Sequence, residues 1–136
     1  MPARTKARKR ALDILYESEL RGVPIADVLS EHTARAEPAV PAYTTALVHG
    51  VAERQAHIDG LLTSYAVGWT LDRMPPVDRN LLRLGVFELL WTDDVPDGVA
   101  ISEAVELAGV LSTEDSSRFV NGVLARIAGA ESRPVA

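Results

Sequence analysis

Cysteine is absent from this 136-residue chain, which excludes disulfide bonds and thiolate metal sites. Aromatic residues make up only 5% of the sequence, so leucine, valine, alanine and isoleucine must supply most of the core. No apolar run approaches the roughly 18–20 residues that a membrane-spanning helix needs. Asp13 and Glu17 interrupt the segment after the basic N-terminus, which therefore does not resemble a signal peptide. These absences predict one globular, cytoplasmic domain and no membrane partner.

Motifs for catalysis and cofactor binding are also missing. The chain contains no phosphate-binding GxxxxGKS/T, no GxGxxG, no HExxH and no GxSxG. His49 and His57 are eight residues apart and can lie on nearby helix faces, but no third ligand has metal-site spacing. We therefore expect no enzyme activity, no metal and no other cofactor.

Charge is unevenly distributed along the chain. The formal net charge is −5, yet the first ten residues hold five of the 14 basic residues and no acidic one. The other 126 residues carry nine basic residues against 19 acidic ones. This basic N-terminal segment, called the arm below, consists of Arg4, Lys6, Arg8, Lys9 and Arg10. Such a split is typical of an arm that binds nucleic acid or another acidic surface, and also of a solvated tail.

Proline, glycine and acidic clusters divide the chain into segments with helical periodicity, and no segment alternates with period two. An all-α fold is therefore predicted. Its helices are expected over about 5–21, 24–34, 42–66, 76–91, 100–111 and from the capping residues 112–115 to about 128.

The first predicted helix has two apolar stripes. The stripe expected to face the core contains Ala7, Ala11, Ile14, Leu15 and Ser18. The second stripe, on nearly the opposite side, contains Leu12, Tyr16 and Leu20. Either the helix is buried on two sides, or the second stripe is a partner surface beside the arm. An exposed Tyr16 near the arm favours RNA, because unpaired bases stack on aromatic rings.

The fourth predicted helix is apolar around most of its circumference, which indicates a central position. Glu88 lies on an apolar side of this helix, so a buried Glu88 needs a partner. The sixth helix is preceded by Asp115 and Ser116, where free backbone N–H groups are expected.

Three blocks of sequence resemble the NusB family of bacterial transcription antitermination factors. They are Ala7–Ala11 with Leu15-Tyr16, Val77–Leu84 with Phe87–Leu90, and Ala100–Ala108 with Ser112–Leu124, which includes Phe-Val-Asn-Gly-Val-Leu. The segment Gly68–Arg73 resembles the actinobacterial branch. The family resemblance implies about six to seven helices in two subdomains that each resemble a three-helix bundle, here residues 1–70 and 71–136. It also implies a stand-alone factor, because no room remains for the methyltransferase domain found in some relatives.

The resemblance implies binding to boxA RNA together with NusE, a protein of the small ribosomal subunit, in an antitermination complex on RNA polymerase. The residues carried over to RNA are the arm (Arg4, Lys6, Arg8, Lys9, Arg10), Tyr16, Asp115 and Phe119. The residues carried over to NusE are Tyr16, Asp72 and Asp78, the last two one methylene shorter than the family's glutamates. Thr5 stands where a familiar form of the family has arginine, so one phosphate contact is expected to be missing. A homodimeric interaction module with a masked arm is the alternative.

Overall fold

The computed structural model describes residues 2–35 and 37–133, and within them the chain is all-α, as predicted. The helices are α1 (Ala3–Arg21), α2 (Ile25–Arg35), α3 (Ala42–Tyr65), α4 (Pro76–Trp91), α5 (Asp97–Leu111) and α6 (Glu114–Ala130). A short 3-10 turn, Leu71–Arg73, lies in the connector between α3 and α4.

The helix boundaries follow the proline and glycine positions that predicted them. The left-handed Gly22 ends α1, and Pro75 and Pro76 begin α4. The main difference is α5, which begins at Asp97 rather than near residue 100. Pro96 precedes the helix and the Asp97 carboxylate lies in its first turn, where the helix dipole favours negative charge. The acidic cluster between α4 and α5, which was expected only to separate two helices, therefore also contains the first residue of α5.

Helix α4 is central, as its apolar circumference predicts. It packs against α1, α3, α5 and α6, and every residue from Asn80 to Leu90 is buried. The expected division into subdomains at residue 70 stays a prediction.

Helix α1 packs against α2, α3 and α4, and this settles the question of its two stripes. Leu12 is only 3% exposed, so for this residue burial on a second side is correct and a partner surface is excluded. Tyr16 and Leu20, by contrast, are 37% and 73% exposed. The helix is thus buried on two sides along its first half and has an open apolar side near its C-terminal end.

Gly50 leaves room on α3 for the Phe87 ring of α4. A Cβ atom at this position would overlap the ring of Phe87, whereas a Cβ at Gly60 on the same helix meets nothing. We expect Gly50→Ala to lower the free energy of unfolding by about 1–3 kcal/mol, as overpacked cores do. Gly60→Ala is the matched control and should raise it by about 0.5–1 kcal/mol. Urea denaturation of both variants measures the two free energies of unfolding. Equal changes would contradict the packing of Phe87 against Gly50.

Candidate nucleic-acid interface

The arm forms the first turns of α1, and its cations differ in accessibility. Lys6 is exposed and forms no ion pair within the described residues. The Arg4 side chain is 47% exposed, and its NH2 group donates to Asp94 Oδ2 at 2.7 Å. Lys9 is half-buried and pairs with Asp13 one turn later at 3.0 Å. Arg10 is also half-buried, with its Nε 3.3 Å from the His32 ring.

Arg8 lies inside the protein, contrary to the expectation of an arm with its cations all at the surface. Its side chain is 5% exposed, and its Nε and NH2 groups each lie 2.9 Å from a carboxylate oxygen of Glu88. Its NH1 group donates to Glu103 Oε1 at 3.0 Å. Glu88 therefore has the structural partner that its position on an apolar helix face requires. All three guanidinium nitrogen atoms of Arg8 donate to carboxylates, so the group is not presented to a phosphate in this structure.

Thr5 and Tyr43 complete this buried cluster. The Thr5 hydroxyl donates to Glu103 Oε1 at 2.8 Å, so this side chain faces inward rather than toward solvent. The Tyr43 hydroxyl donates to Glu88, and burial raises the pKa of Tyr43, which therefore remains a proton donor. The guanidinium carbon of Arg4 lies 4.3 Å from the centre of the Tyr43 ring. Tyr43 thus connects the buried and exposed parts of the arm, and no sequence motif indicated it.

Tyr16 and Leu20 border a shallow groove of about 240 Å³, which Glu19 and Pro76 complete. Lys9 and Tyr16 are seven residues apart, so they lie on nearly the same face of α1. Lys9 and this groove therefore lie on one side of α1, whereas Arg8 faces the interior.

A network of ion pairs holds α1 and the connector against α4. Glu19 accepts from Arg79 and, at 3.2 Å, from Arg83. Arg79 also donates to the carbonyl oxygens of Leu71 and Met74, at 2.7 and 3.0 Å. The 3-10 turn is thereby fixed beside α1, and an open groove of about 1010 Å³ runs between them.

Asp72 and Asp78, both expected to face NusE, have opposite environments. Asp72 is exposed in the 3-10 turn, and a hydrogen bond with Thr70 is the main cause that lowers its pKa. Asp78 is only 3% exposed, which corrects the expectation of a surface carboxylate. Its Oδ2 accepts from the Ser116 hydroxyl at 2.8 Å, because the N-terminus of α6 packs over it. Its Oδ1 is buried and has no hydrogen-bond partner among residues 2–35 and 37–133.

The N-terminus of α6 is capped by Thr113, whose hydroxyl oxygen accepts from the backbone N–H of Ser116 at 3.0 Å. Asp115 is therefore not the capping residue. Its side chain is 88% exposed and pairs only with Arg118 on the same helix. An exposed carboxylate in the first helical turn remains available to hydrogen-bond donors of a ligand.

Phe119 and Trp69 form an aromatic pair at this end of α6. Their ring centres are 6.2 Å apart and inclined by 54°, and they border a cleft of about 230 Å³ with Asp115 and Asp78. Trp69 is 49% exposed and also lines the open groove that contains Glu19. The surface therefore continues from Tyr16 past Glu19 and Trp69 to Phe119. In the sequence, Trp69 belongs to the segment that resembles the actinobacterial branch, and no role was predicted for it. The only indication of a role was the presence of a tryptophan in a connector.

Two kinds of feature are absent from the part of the chain that the structure describes. None of its helices is both long enough and apolar enough to cross a membrane. No three histidine or carboxylate side chains in residues 2–35 and 37–133 cluster as ligands for a metal ion.

Comparison with known proteins shows the family of the chain. The model of the NusB family matches residues 5–129, nearly the whole chain. The chain belongs to the NusB family. The transcription antitermination protein NusB of Acidothermus cellulolyticus is 58% identical over 127 residues, which cover 93% of this chain and 88% of that protein. NusB is a non-enzymatic family, which confirms the prediction that this chain is not an enzyme.

Solved NusB structures have the same fold. NusB of T. maritima is 36% identical and superposes with a TM-score of 0.84, covering 98% of this chain and 94% of that one. A crystal structure of the antitermination factors NusB and NusE in complex with dsRNA contains a chain that is 30% identical. That chain superposes with a TM-score of 0.82, with 94% of this chain and 97% of that one covered. The all-α prediction and the resemblance to NusB are thus confirmed.

Proposed function

We propose that this chain is a transcription antitermination factor that binds the boxA element of nascent ribosomal RNA together with a NusE protein. The observation that carries the proposal is the surface that continues from Tyr16 past Glu19 and Trp69 to Phe119, with Lys9 of the arm on nearly the same face of α1 as Tyr16. It places a cation at one end and the exposed Trp69 ring beside the half-buried Phe119 ring at the other. Positive charge and accessible aromatic rings are the two features that single-stranded RNA requires.

On the RNA side of this surface, different residues contact phosphates and bases. Lys6, Arg4 and Lys9 supply charge for phosphates, which gives affinity without sequence information. Trp69 and Phe119 offer ring faces for unpaired bases. Asp115 at the edge of the cleft accepts hydrogen bonds from amino groups of guanine or cytosine while it repels phosphate. Tyr16 lies between these parts, Arg10 extends the arm toward α2, where it contacts His32, and Arg8 supports the arm from inside.

The NusE side uses the groove of Tyr16 and Leu20 together with the exposed Asp72. An apolar groove with a tyrosine and a nearby carboxylate suits a partner with a hydrophobic and basic surface, as a ribosomal protein has. Asp78 supports this region only indirectly, because its carboxylate holds α6. The assembled pair joins an RNA polymerase antitermination complex in the cytoplasm. A second copy of this chain bound at the same groove would form the homodimer and exclude NusE.

A titration of fluorescent boxA RNA with this protein, alone and with NusE, tests the proposal. We expect binding at low salt that strengthens when NusE is added, and weaker binding to a scrambled strand and to a duplex of the same sequence. Light scattering of the same samples distinguishes a 1:1 protein pair from a homodimer. Equal affinity for boxA and the scrambled strand, with and without NusE, contradicts the proposal.

Lys6 is the arm residue expected to contribute most directly to the salt dependence of RNA binding. Lys6→Gln removes one phosphate contact, so the slope of log K against log salt should become shallower by about 0.7. Arg126→Gln is the control, because it removes the same charge from an exposed position on α6, which is not among the helices that pack against α1. Its salt slope should equal that of the unmodified protein. Anisotropy titrations between low and moderate salt provide both slopes. An unchanged slope for Lys6→Gln excludes Lys6 as a phosphate contact.

A further inference from the structure

Arg4 is the arm cation whose carboxylate partner comes from a distant part of the chain and lies at the surface. Its NH2 group donates to Asp94 Oδ2 at 2.7 Å, and the Asp94 side chain is 67% exposed. This hydrogen bond holds the pKa of the Asp94 carboxyl below its ordinary value, so the group is fully charged at neutral pH. Both partners of the ion pair are therefore charged in the RNA-free protein at neutral pH.

The turn that carries Asp94 is held in place from three sides. Val95 is buried, and its backbone N–H donates to the carbonyl oxygen of Thr92 at 3.3 Å. Arg133 donates to the carbonyl oxygens of Thr92 and Val95, at 2.6 and 2.7 Å. The same guanidinium pairs with Asp97 at 3.2 Å. A fixed turn presents the Asp94 carboxylate at one position beside the arm.

The other arm cations have partners of a different kind. Lys9 pairs with Asp13 on its own helix, so that pair is local to α1. Arg8 pairs with buried carboxylates and belongs to the core. Among the ion pairs of the described residues, the Arg4–Asp94 pair alone joins an exposed arm cation to an exposed carboxylate outside α1.

Carboxylate and phosphate compete for the same guanidinium donors, because both are anionic acceptors with similarly spaced oxygens. We propose, on the basis of the proposed function, that Asp94 occupies Arg4 in the free protein and that an RNA phosphate must displace it. Asp94 thereby limits the affinity of the arm for RNA. The pair is exposed on both sides, so the limit is small and is screened by salt.

Asp94→Asn tests this inference, with Asp93→Asn as the matched control. Both variants remove one negative charge from the same turn, but among the described residues Arg4 forms its ion pair with Asp94 and none with Asp93. We expect Asp94→Asn to bind boxA RNA about two- to fivefold more tightly than Asp93→Asn at low salt. The difference should fade as ionic strength rises. Equal affinities of the two variants would mean that net charge alone acts, and would overturn the inference.

A double-mutant cycle identifies the donor that Asp94 occupies. In an Arg4→Gln background, Asp94→Asn should bring no gain over Asp93→Asn, because the freed donor is gone. A gain that persists there, or weaker binding by Asp94→Asn, overturns the inference. Oligouridylate serves as a second probe for every variant. If every variant binds boxA RNA and oligouridylate with equal affinity, the proposed function fails, while the comparison of Asp94→Asn with Asp93→Asn still decides this inference. If neither RNA binds, the proposed function and this inference are both overturned.

Discussion

Replacement of Arg8 by methionine should lower the free energy of unfolding by about 3–5 kcal/mol, the cost of leaving a buried carboxylate without its partner. The partner is Glu88, which is 2% exposed and receives three hydrogen bonds from the Arg8 guanidinium. The Tyr43 hydroxyl would be its only remaining donor among the described contacts. Urea denaturation followed by circular dichroism measures the loss.

Lys9→Met is the matched control for this prediction, because it removes a cation from the next position of the same helix. Its pair with Asp13 is exposed, so the loss should be below about 1 kcal/mol. The double variant Arg8→Met with Glu88→Met should be more stable than Arg8→Met alone, since no buried charge is left unpaired. Equal stability of the Arg8 and Lys9 variants would show that Arg8 is not part of the folded core.

Trp69→Ala should weaken RNA binding by about 5- to 150-fold, the range that corresponds to about 1–3 kcal/mol for one stacked base. Trp69 is half exposed and borders the cleft with Phe119, so its ring is accessible to a base without rearrangement of the core. Phe119→Leu should cause a smaller loss, because leucine retains the apolar contact with Trp69 but has no ring face. Anisotropy titration with boxA RNA gives the affinities.

Val67→Ala is the control for the connector, since Val67 is 76% exposed and lies two residues before Trp69. Its RNA affinity should equal that of the unmodified protein. Trp69 and Trp91 are the two tryptophans of the chain, so Trp91→Phe leaves Trp69 as a single reporter. Addition of RNA should quench its fluorescence if a base stacks on the ring. An affinity of Trp69→Ala within twofold of Val67→Ala excludes the stacking role.

Sequence periodicity was sufficient for the helices because proline, glycine and capping residues mark their ends. It also predicted the central position of α4 and the need for a partner at Glu88. The partner itself was not predictable, since Arg8 stands between other cations and its carboxylate lies 80 residues away. Only the packing of α1 against both α3 and α4 brings the Arg8 side of the helix into the interior.

The environment of Asp78 was missed for a related reason. A carboxylate in the first turn of a helix is normally solvated and favourable to the dipole, and nothing local indicates that another helix covers it. The cover is the start of α6, through Ser116, which is 38 residues further along the chain. Trp69 was missed because a connector has no periodicity from which exposure can be deduced.

The alternation of buried and exposed residues along α1 constrains how the arm can vary in length. One residue inserted between Arg8 and Tyr16 would rotate everything before it by about 100° relative to everything after it. Arg8 would then leave Glu88, or the Tyr16 side of the helix would leave its groove. Residues added before Ala3, where α1 begins, leave this phase unchanged. The distance and the angle between the Lys9 ammonium group and the Tyr16 ring are therefore fixed by the helical geometry of α1.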